Sequence, residues 1–269
     1  MSDFFKNKVI AITGGSSGIG KALVEQSLQL GAKVATCARN QDKLYDLQLK
    51  YSSSPLHCVV ADVSNYNDCE LFIQSTIKQF GGIDILINNA GISMRALLKD
   101  ADLDVFRKVM DINFFGTVYC TKLALSSLTE RKGTIVGISS IAGFRGLPGR
   151  SGYSASKFAL NGWLESIRTE LLEEDVNVMW VSPGYTRSNI RNAALNHNAE
   201  AQGESPIAEA ELMSPESCAK YILKAIEKKK RTLILTIKGK QTFFVNKFFP
   251  SWADKLTRKF FYKDGKLVK

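Results

Sequence analysis

Histidine is scarce in this chain. Only His57 and His197 occur, and neither stands near other ligand-type residues in a spacing that could hold a metal. Zinc sites of the His/Cys kind need several clustered donors, so no metal centre is expected. The five cysteines (Cys37, Cys58, Cys69, Cys120, Cys218) are scattered, with no C-x-x-C pair. That argues against a disulfide framework and for a reducing, cytoplasmic compartment. No apolar run approaches the ~18 residues of a membrane span, and the start MSDFFKNK does not suit a secretory signal. Low-complexity tracts are also missing. An apolar fraction of 45% is enough for a sizeable globular core.

Positive charge is abundant, but it is local. Residues 228–269 hold 13 Lys/Arg against Asp254 and Asp264, while residues 1–227 hold 23 basic and 24 acidic groups. The body is close to neutral and the tail carries the net charge of +10. Any argument about acidic partners is therefore an argument about the tail.

Short β-rich runs alternate with helical patterns. Strands are expected at 8–12, 33–37, 56–60, 84–88, 133–138, 176–181 and 232–236. Helices are expected at 18–30, 40–50, 65–80, 101–128, 152–173 and 214–228. Lys8-Val-Ile-Ala-Ile12 does not alternate, as a strand covered on both faces would not. The alternation predicts α/β architecture: a single doubly wound, Rossmann-like domain on a mostly parallel seven-stranded sheet. The rhythm continues without a linker, placing a catalytic, nucleotide-binding domain at 1–238 and a basic aromatic extension at 239–269. Segment 186–213 is polar, irregular and long, which marks a candidate lid or substrate loop.

The first strand runs into Thr13-Gly14-Gly15-Ser16-Ser17-Gly18-Ile19-Gly20 and then a helix. Glycines there permit a tight turn and let backbone N–H groups approach a pyrophosphate. Gly14, Ser16, Ser17, Gly18, Ile19 and Gly20 are the candidate contacts. An NAD site usually has an acid at the tip of the second strand for the ribose 2′-OH. Here the tip reads Thr36-Cys37-Ala38-Arg39, and a guanidinium at Arg39 suits a 2′-phosphate, favouring NADPH over NADH. Asp62-Val63 either meets the adenine edge or caps a helix starting near Ser64.

Strands 84–88 and 133–138 end in Asn88-Asn89-Ala90-Gly91 and Ser139-Ser140. Tyr153 and Lys157 follow in YSASK and share the inward stripe of a helix with Leu160, Leu164, Ile167 and Leu171. A lysine on a buried stripe costs free energy unless its charge is used. Its ammonium is expected to lower the Tyr153 pKa.

With Asn113 and Ser182-Pro183-Gly184, these motifs resemble the short-chain dehydrogenase/reductase family over residues 8 to about 237. The resemblance implies hydride transfer between a nicotinamide and a carbonyl carbon, as in a carbonyl reductase. It implies that Tyr153 is the general acid in reduction and that Ser140 bonds the substrate oxygen. It further implies that Lys157 holds the nicotinamide ribose and that Asn113 keeps a water in the proton relay. Asn89, Ala90, Gly91, Pro183, Gly184, Thr186, Tyr153 and Lys157 would line the cofactor. Ser188 stands where many relatives have Thr and keeps a hydroxyl for the carboxamide. A homodimer or homotetramer is implied too.

Ser93, Met94, Leu97, the stretch Phe144 to Arg150, and Tyr185 follow these motifs and are candidate pocket residues. Their mixed apolar character, with Arg145 and Arg150, suits an apolar ketone bearing an acid or thioester. GGSSGIGK and ARNQDKL resemble the ketosphinganine reductase branch, so 3-oxoacyl, ketosphinganine and steroid ketones are the candidate substrates. The tail holds Phe243, Phe244, Phe248, Phe249, Trp252, Phe260, Phe261 and Tyr262. A box-like start at Ser251 and Asp254 would put Trp252, Leu256 and Phe260 on one helix face opposite Lys255 and Arg258. Three readings stay open for it: packing on its own body or a neighbouring subunit, peripheral contact with an anionic membrane, or gripping an acidic carrier protein or nucleic acid. The first leads. Nucleic acid is not an expected partner, because the aromatics read as a packing face rather than a stacking platform. An alternative function, docking to a membrane or partner with NADP binding as a sensor, follows from the same tail.

Overall fold

The aliphatic runs become seven strands in the computed structural model, which describes residues 3–203 and 212–268. They are β1 (Val9–Thr13), β2 (Lys33–Ala38), β3 (Leu56–Val60), β4 (Ile85–Asn88), β5 (Thr134–Ile138), β6 (Asn177–Ser182) and β7 (Thr232–Ile234). Their order is β3-β2-β1-β4-β5-β6-β7, and every pairing is parallel. All five residues of β1 are buried, as its unalternating pattern requires.

The connections are α1 (Gly18–Gln29), α2 (Gln41–Lys50), α3 (Tyr66–Phe80), α4 (Leu103–Met110), α5 (Gly116–Glu130), α6 (Ser151–Glu170) and α7 (Pro215–Glu227). Leu23 of α1 and Ile222 and Leu223 of α7 pack on one face of the sheet. Phe72 and Ile73 of α3, Leu128 of α5, and Leu160 and Leu164 of α6 cover the other. The strand order reverses between β1 and β4, and the crevice at their carboxyl ends is where such sheets bind ligands.

Local chemistry sets several boundaries. α3 starts at Tyr66 because the Asn65 side chain accepts from the backbone N–H groups of Asn67 and Asp68. The start expected near Ser64 is thus two residues early. Gly81, at φ 81°, closes α3. Ser214 caps α7, with Pro215 in its first turn, as the sequence suggested.

The stretch expected as one long helix over 101–128 is interrupted. Between α4 and α5, residues Asp111–Phe115 form a wider turn in which Gly116 N–H donates to the Asp111 carbonyl. Such turns accommodate one extra residue within a helix and recur at functional sites. Gly116 is needed there, since a Cβ would lie 2.9 Å from Val63 Cγ2 and from its carbonyl oxygen.

The tail forms α8 (Ile237–Phe248), α9 (Pro250–Phe261) and a small antiparallel pair, β8 (Tyr262–Lys263) with β9 (Lys266–Leu267). The box-like start of α9 is not formed: Phe249 precedes the helix, Pro250 opens it, and no side chain caps it. Asp254 instead accepts from Arg145 at 2.6 Å. The side of α9 that packs inward is Ala253, Thr257 and Phe261. The expected apolar face of Trp252, Leu256 and Phe260 is exposed.

Candidate active site

α6 runs back under the sheet from its carboxyl edge, and its first turns carry Tyr153 and Lys157. Lys157 is buried, and its Nζ donates to the carbonyl of Ile138, the last residue of β5, at 2.8 Å. Two residues further on, the Ser140 side chain stands beside the Tyr153 phenol, near enough to pull against the rise that burial imposes on it. Ser140 is held in place from two sides: its Oγ accepts from Ala142 N–H at 3.1 Å, and its carbonyl accepts from Ser182 Oγ at 2.9 Å. Strand tips β5 and β6 and helix α6 therefore meet at one hydroxyl pair.

The electrostatics differ from the sequence expectation. Burial pushes the Lys157 ammonium down to about 8. Burial also pushes the Tyr153 phenol up, against the opposing pull of Ser140 and of the Arg150 charge. Burial outweighs any pull from Lys157, whose Nζ donates to the Ile138 carbonyl and lies 5.8 Å from the centre of the Tyr153 ring. Tyr153 is a protonated phenol at neutral pH, which is the state a proton donor needs.

Asn113 sits in the wide turn, fully buried, with its amide satisfied on both sides. Its Nδ2 donates to the Ile92 carbonyl and to Ser156 Oγ, each at 2.9 Å, and its Oδ1 accepts from Ile92 N–H at 2.8 Å. The side chain thus fastens the segment after β4 to α6. Ser156, which sequence reasoning passed over, completes the link by donating to the Tyr153 carbonyl at 2.8 Å. Its signal was its place inside YSASK, on the inner side of the helix.

The glycine-rich turn lies beside this cluster. Gly14 and Gly18 have φ of 72° and 54°, in the region that favours glycine. A Cβ on Gly20 would run into the Gly14 carbonyl and Asn89 Nδ2. Ser17 precedes α1 without a side-chain cap, so Gly18, Ile19 and Gly20 present a helix N-terminus without a protein side chain on it. Ser16 flanks the same turn. This cradle fits the pyrophosphate of a dinucleotide.

Asn89 proves to be a clamp. Its Nδ2 donates to the Thr13 and Gly14 carbonyls at 2.9 and 3.2 Å, while Thr13 Oγ1 accepts from Asn89 and Ala90 N–H at 3.0 Å. Gly91 follows, and a Cβ there would stand 3.1 Å from Asn113 Oδ1 and 3.5 Å from Lys157 Nζ.

Beyond β2, the exposed Arg39 lies 3.7 Å from Asp62. Asp62 accepts from Ser64 N–H and Oγ at 3.0 and 2.7 Å, so it stabilises a turn and does not cap α3. Val63 is buried against Gly116. Across the crevice, a Cβ on Gly184, which follows Pro183, would meet Thr236 at 2.5–2.6 Å. Thr186 is buried and donates to the Gly184 carbonyl at 3.2 Å. Ser188 reaches over the glycine turn, with its Cβ 3.2 Å from where a Gly18 Cβ would be.

The substrate side is apolar. Met94, Ala96, Val105 and Val109 are buried together, with Ile92, Phe106, Leu195 and Tyr153 packed against them. The loop expected over 186–213 contributes through Leu195, whose N–H and carbonyl bond Ser93 and Arg95. Residues 204–211 of that expectation lie outside the described residues. Ser93 is buried and Leu97 half-buried. Arg150 is buried, its charge acts on the Tyr185 phenol, and its guanidinium lies 5.6 Å from the Phe261 ring centre. The guanidinium of Arg145 is engaged by the tail, where Thr257, Asn246 and Asp254 accept from it. Nothing local in the sequence pairs position 145 with residues about 100 positions on. Among the described residues, no cluster of His, Cys, Asp or Glu could hold a metal ion, and no helix is long and apolar enough to cross a membrane.

Residues 8–199 match the family model described as short chain dehydrogenase. "Dehydrogenase/reductase SDR family member 7B" of Rattus norvegicus is 39% identical over 242 residues, covering 87% of this chain and 74% of that protein. A short-chain dehydrogenase from Streptomyces avermitilis superposes with a TM-score of 0.79 at 27% identity, covering 94% of this chain and 99% of the other. A short-chain dehydrogenase/reductase from Burkholderia phymatum in complex with NAD gives 0.81 at 20% identity, covering 94% and 96%, and so shares the fold. The hydroxyl pair, the buried lysine and the glycine cradle are thus set in a chain that matches a family of oxidoreductases over most of its length, and the protein belongs to the short-chain dehydrogenase/reductase family.

Proposed function

We propose that this protein is an NADP(H)-dependent reductase of a ketone carried by an apolar, lipid-like molecule, the reverse alcohol oxidation sharing the same groups. One observation carries the reading. Tyr153 and Ser140 stand together at the strand tips, with the buried Lys157 in the next turn and the glycine cradle alongside.

Gly14 to Gly20 would hold the pyrophosphate, and Arg39 the 2′-phosphate, with Asp62 and Val63 toward the adenine. Ala90, Gly91, Lys157, Pro183, Gly184 and Thr186 would border the nicotinamide end. Held there, NADPH would supply the hydride for the carbonyl carbon, becoming NADP⁺. Ser140 holds the substrate oxygen and Tyr153 gives it the proton as the C=O π bond breaks. A phenol pushed up by burial favours that donor role. The Lys157 ammonium is close enough to steady the negative charge that Tyr153 acquires. Asn113 sets the position of Lys157's surroundings through Ile92 and Ser156.

The apolar wall of Met94, Ile92, Phe106 and Leu195 supports 3-oxoacyl, ketosphinganine or steroid ketones over small polar ones. Arg150 suits an acidic group on such a substrate. Two or four copies of the chain would form the working assembly. The sensor reading gives no account of a lysine buried beside a protonated tyrosine.

The test is NADPH oxidation across those ketone classes, with Tyr153→Phe as control. Loss of turnover by about 10²–10⁴-fold with NADPH binding retained is expected. Undiminished turnover in Tyr153→Phe, or no turnover of any ketone class, overturns the proposal.

A further inference from the structure

The inward side of the tail accounts for only part of its aromatic content. Ala253, Thr257 and Phe261 of α9 face the body, and Phe243 of α8 packs on Phe144 with ring centres 5.1 Å apart. The opposite side of both helices is a continuous aromatic surface. Phe244 and Phe248 of α8, Phe249 at the joint and Trp252 of α9 are each more than half exposed, at 55, 57, 53 and 55%. Their rings touch mainly one another: Phe244 lies 4.8 Å from Phe248 and 6.4 Å from Phe249, and Phe249 lies 6.5 Å from Trp252. Leu256 extends the stripe one turn further and is exposed as well. Scattered exposed hydrophobics need no explanation, but a contiguous aromatic cluster does.

Charge selects the occupant. Lys247 stands over the Phe248 ring at 5.7 Å, and Lys240, Lys255, Arg258 and Lys259 lie on the same two helices; all five are exposed. Of the two acids in residues 228–269, Asp254 is taken by Arg145. A second copy of the chain would bring another strongly basic tail against this one. A bilayer with anionic headgroups offers both a negative surface and an apolar boundary for the rings. Neither helix is long and apolar enough to cross a membrane, so the contact is in the plane of the interface.

We infer that the exposed face of the α8–α9 pair docks on an anionic membrane surface, with Phe244, Phe248, Phe249 and Trp252 at the headgroup–acyl boundary and the lysines on the headgroups. The docked face adjoins the substrate side of the site: Phe260 lies 6.4 Å from the Tyr185 ring, and Arg150 stands over Phe261. A lipid-like substrate would then be met where it resides.

The experiment is co-sedimentation of the full chain with phosphatidylcholine vesicles, with and without phosphatidylserine. The phosphatidylserine vesicles are expected to bind at least about tenfold more protein, with binding weakened by salt and the Trp252 emission shifted to the blue. Phe248→Ser with Trp252→Ser, and separately Lys247→Glu with Lys255→Glu, are each expected to cut this binding by about tenfold or more. NADPH binding and the melting temperature report that these variants remain folded. Equal sedimentation with and without phosphatidylserine, or binding unchanged in both pairs of variants, overturns the inference. So does a change in the sedimentation coefficient of the lipid-free protein on Phe248→Ser with Trp252→Ser, which would assign the face to a second copy.

Discussion

Replacing Lys157 by methionine should stabilise the folded protein while destroying its activity. Methionine keeps the length and apolar stem of lysine and removes the buried ammonium. The folded-state pKa of Lys157 is lowered from 10.5 to about 8. At about 1.4 kcal/mol per tenfold change, holding that charge costs the native state about 3 kcal/mol at neutral pH. The substitution also strips the Ile138 carbonyl of its 2.8 Å donor, which costs about 1 kcal/mol. Lys157→Met should therefore gain about 2 kcal/mol at pH 7.

The sign reverses with pH. Between about 8 and 10.5 the unfolded chain binds the lysine proton and the folded protein has lost it, so this group's contribution to wild-type stability rises through that window. The advantage of the methionine variant should shrink from pH 8 upward and vanish before pH 10.5. Urea unfolding of both nucleotide-free proteins at matched pH measures this, since groups common to both cancel. A methionine variant less stable at pH 7, or a gap that does not change with pH, would refute the account of a buried, destabilised ammonium.

Three further outcomes follow from the site. Arg39→Ala should raise the KM for NADPH by about 10–100-fold and leave that for NADH unchanged, as loss of a charge-assisted phosphate contact would. Steady-state kinetics with both nucleotides checks it. Gly20→Ala should drive a methyl group into the Gly14 carbonyl and Asn89 Nδ2, costing about 1–3 kcal/mol and weakening both nucleotides alike. Denaturation and nucleotide titration read the two effects. The four buried thiols, Cys37, Cys69, Cys120 and Cys218, should be inert to a disulfide reagent at pH 8 in the native protein: burial pushes Cys37 up and raises Cys218 to about 12, and it raises the half-buried Cys58 to about 11. All five should react once the chain is unfolded, and early reaction of more than the half-buried Cys58 would contradict the packing.

Much of the sheet was legible because its central strands β1, β4 and β5 are near-continuous aliphatic runs, a pattern set by burial on both faces. β3, expected at 56–60, is Leu56–Val60, and β5, expected at 133–138, is Thr134–Ile138. The inward stripe through Tyr153, Lys157, Leu160 and Leu164 was equally plain, since helical spacing alone puts these residues on one side. The wide turn at 111–115 was not, because DINFFG has ordinary helical character and the turn is decided by packing of Gly116 on Val63. Arg145 was assigned to the pocket because proximity in sequence to Ser140 and Tyr153 is visible, whereas its partners in α8 and α9 are not. The expected lowering of the Tyr153 phenol failed for a related reason. Charge and spacing could be read, but the depth of burial that pushes the phenol up could not.

The grip of the tail on the loop between Ser140 and Tyr153 has a consequence for biosynthesis. Asn246 donates to the Phe144 carbonyl, Arg145 is held by Thr257, Asn246 and Asp254, and Leu267 packs at Gly149. The seventh strand ends at Ile234, so the whole sheet can form before any of these partners has left the ribosome. The two hydroxyls are borne on the flanks of a loop whose fastenings are made after the whole sheet. A nascent protein would first close its nucleotide cradle, whose clamp spans only Thr13 to Ala90, and fix its proton donor only once α8 and α9 emerge.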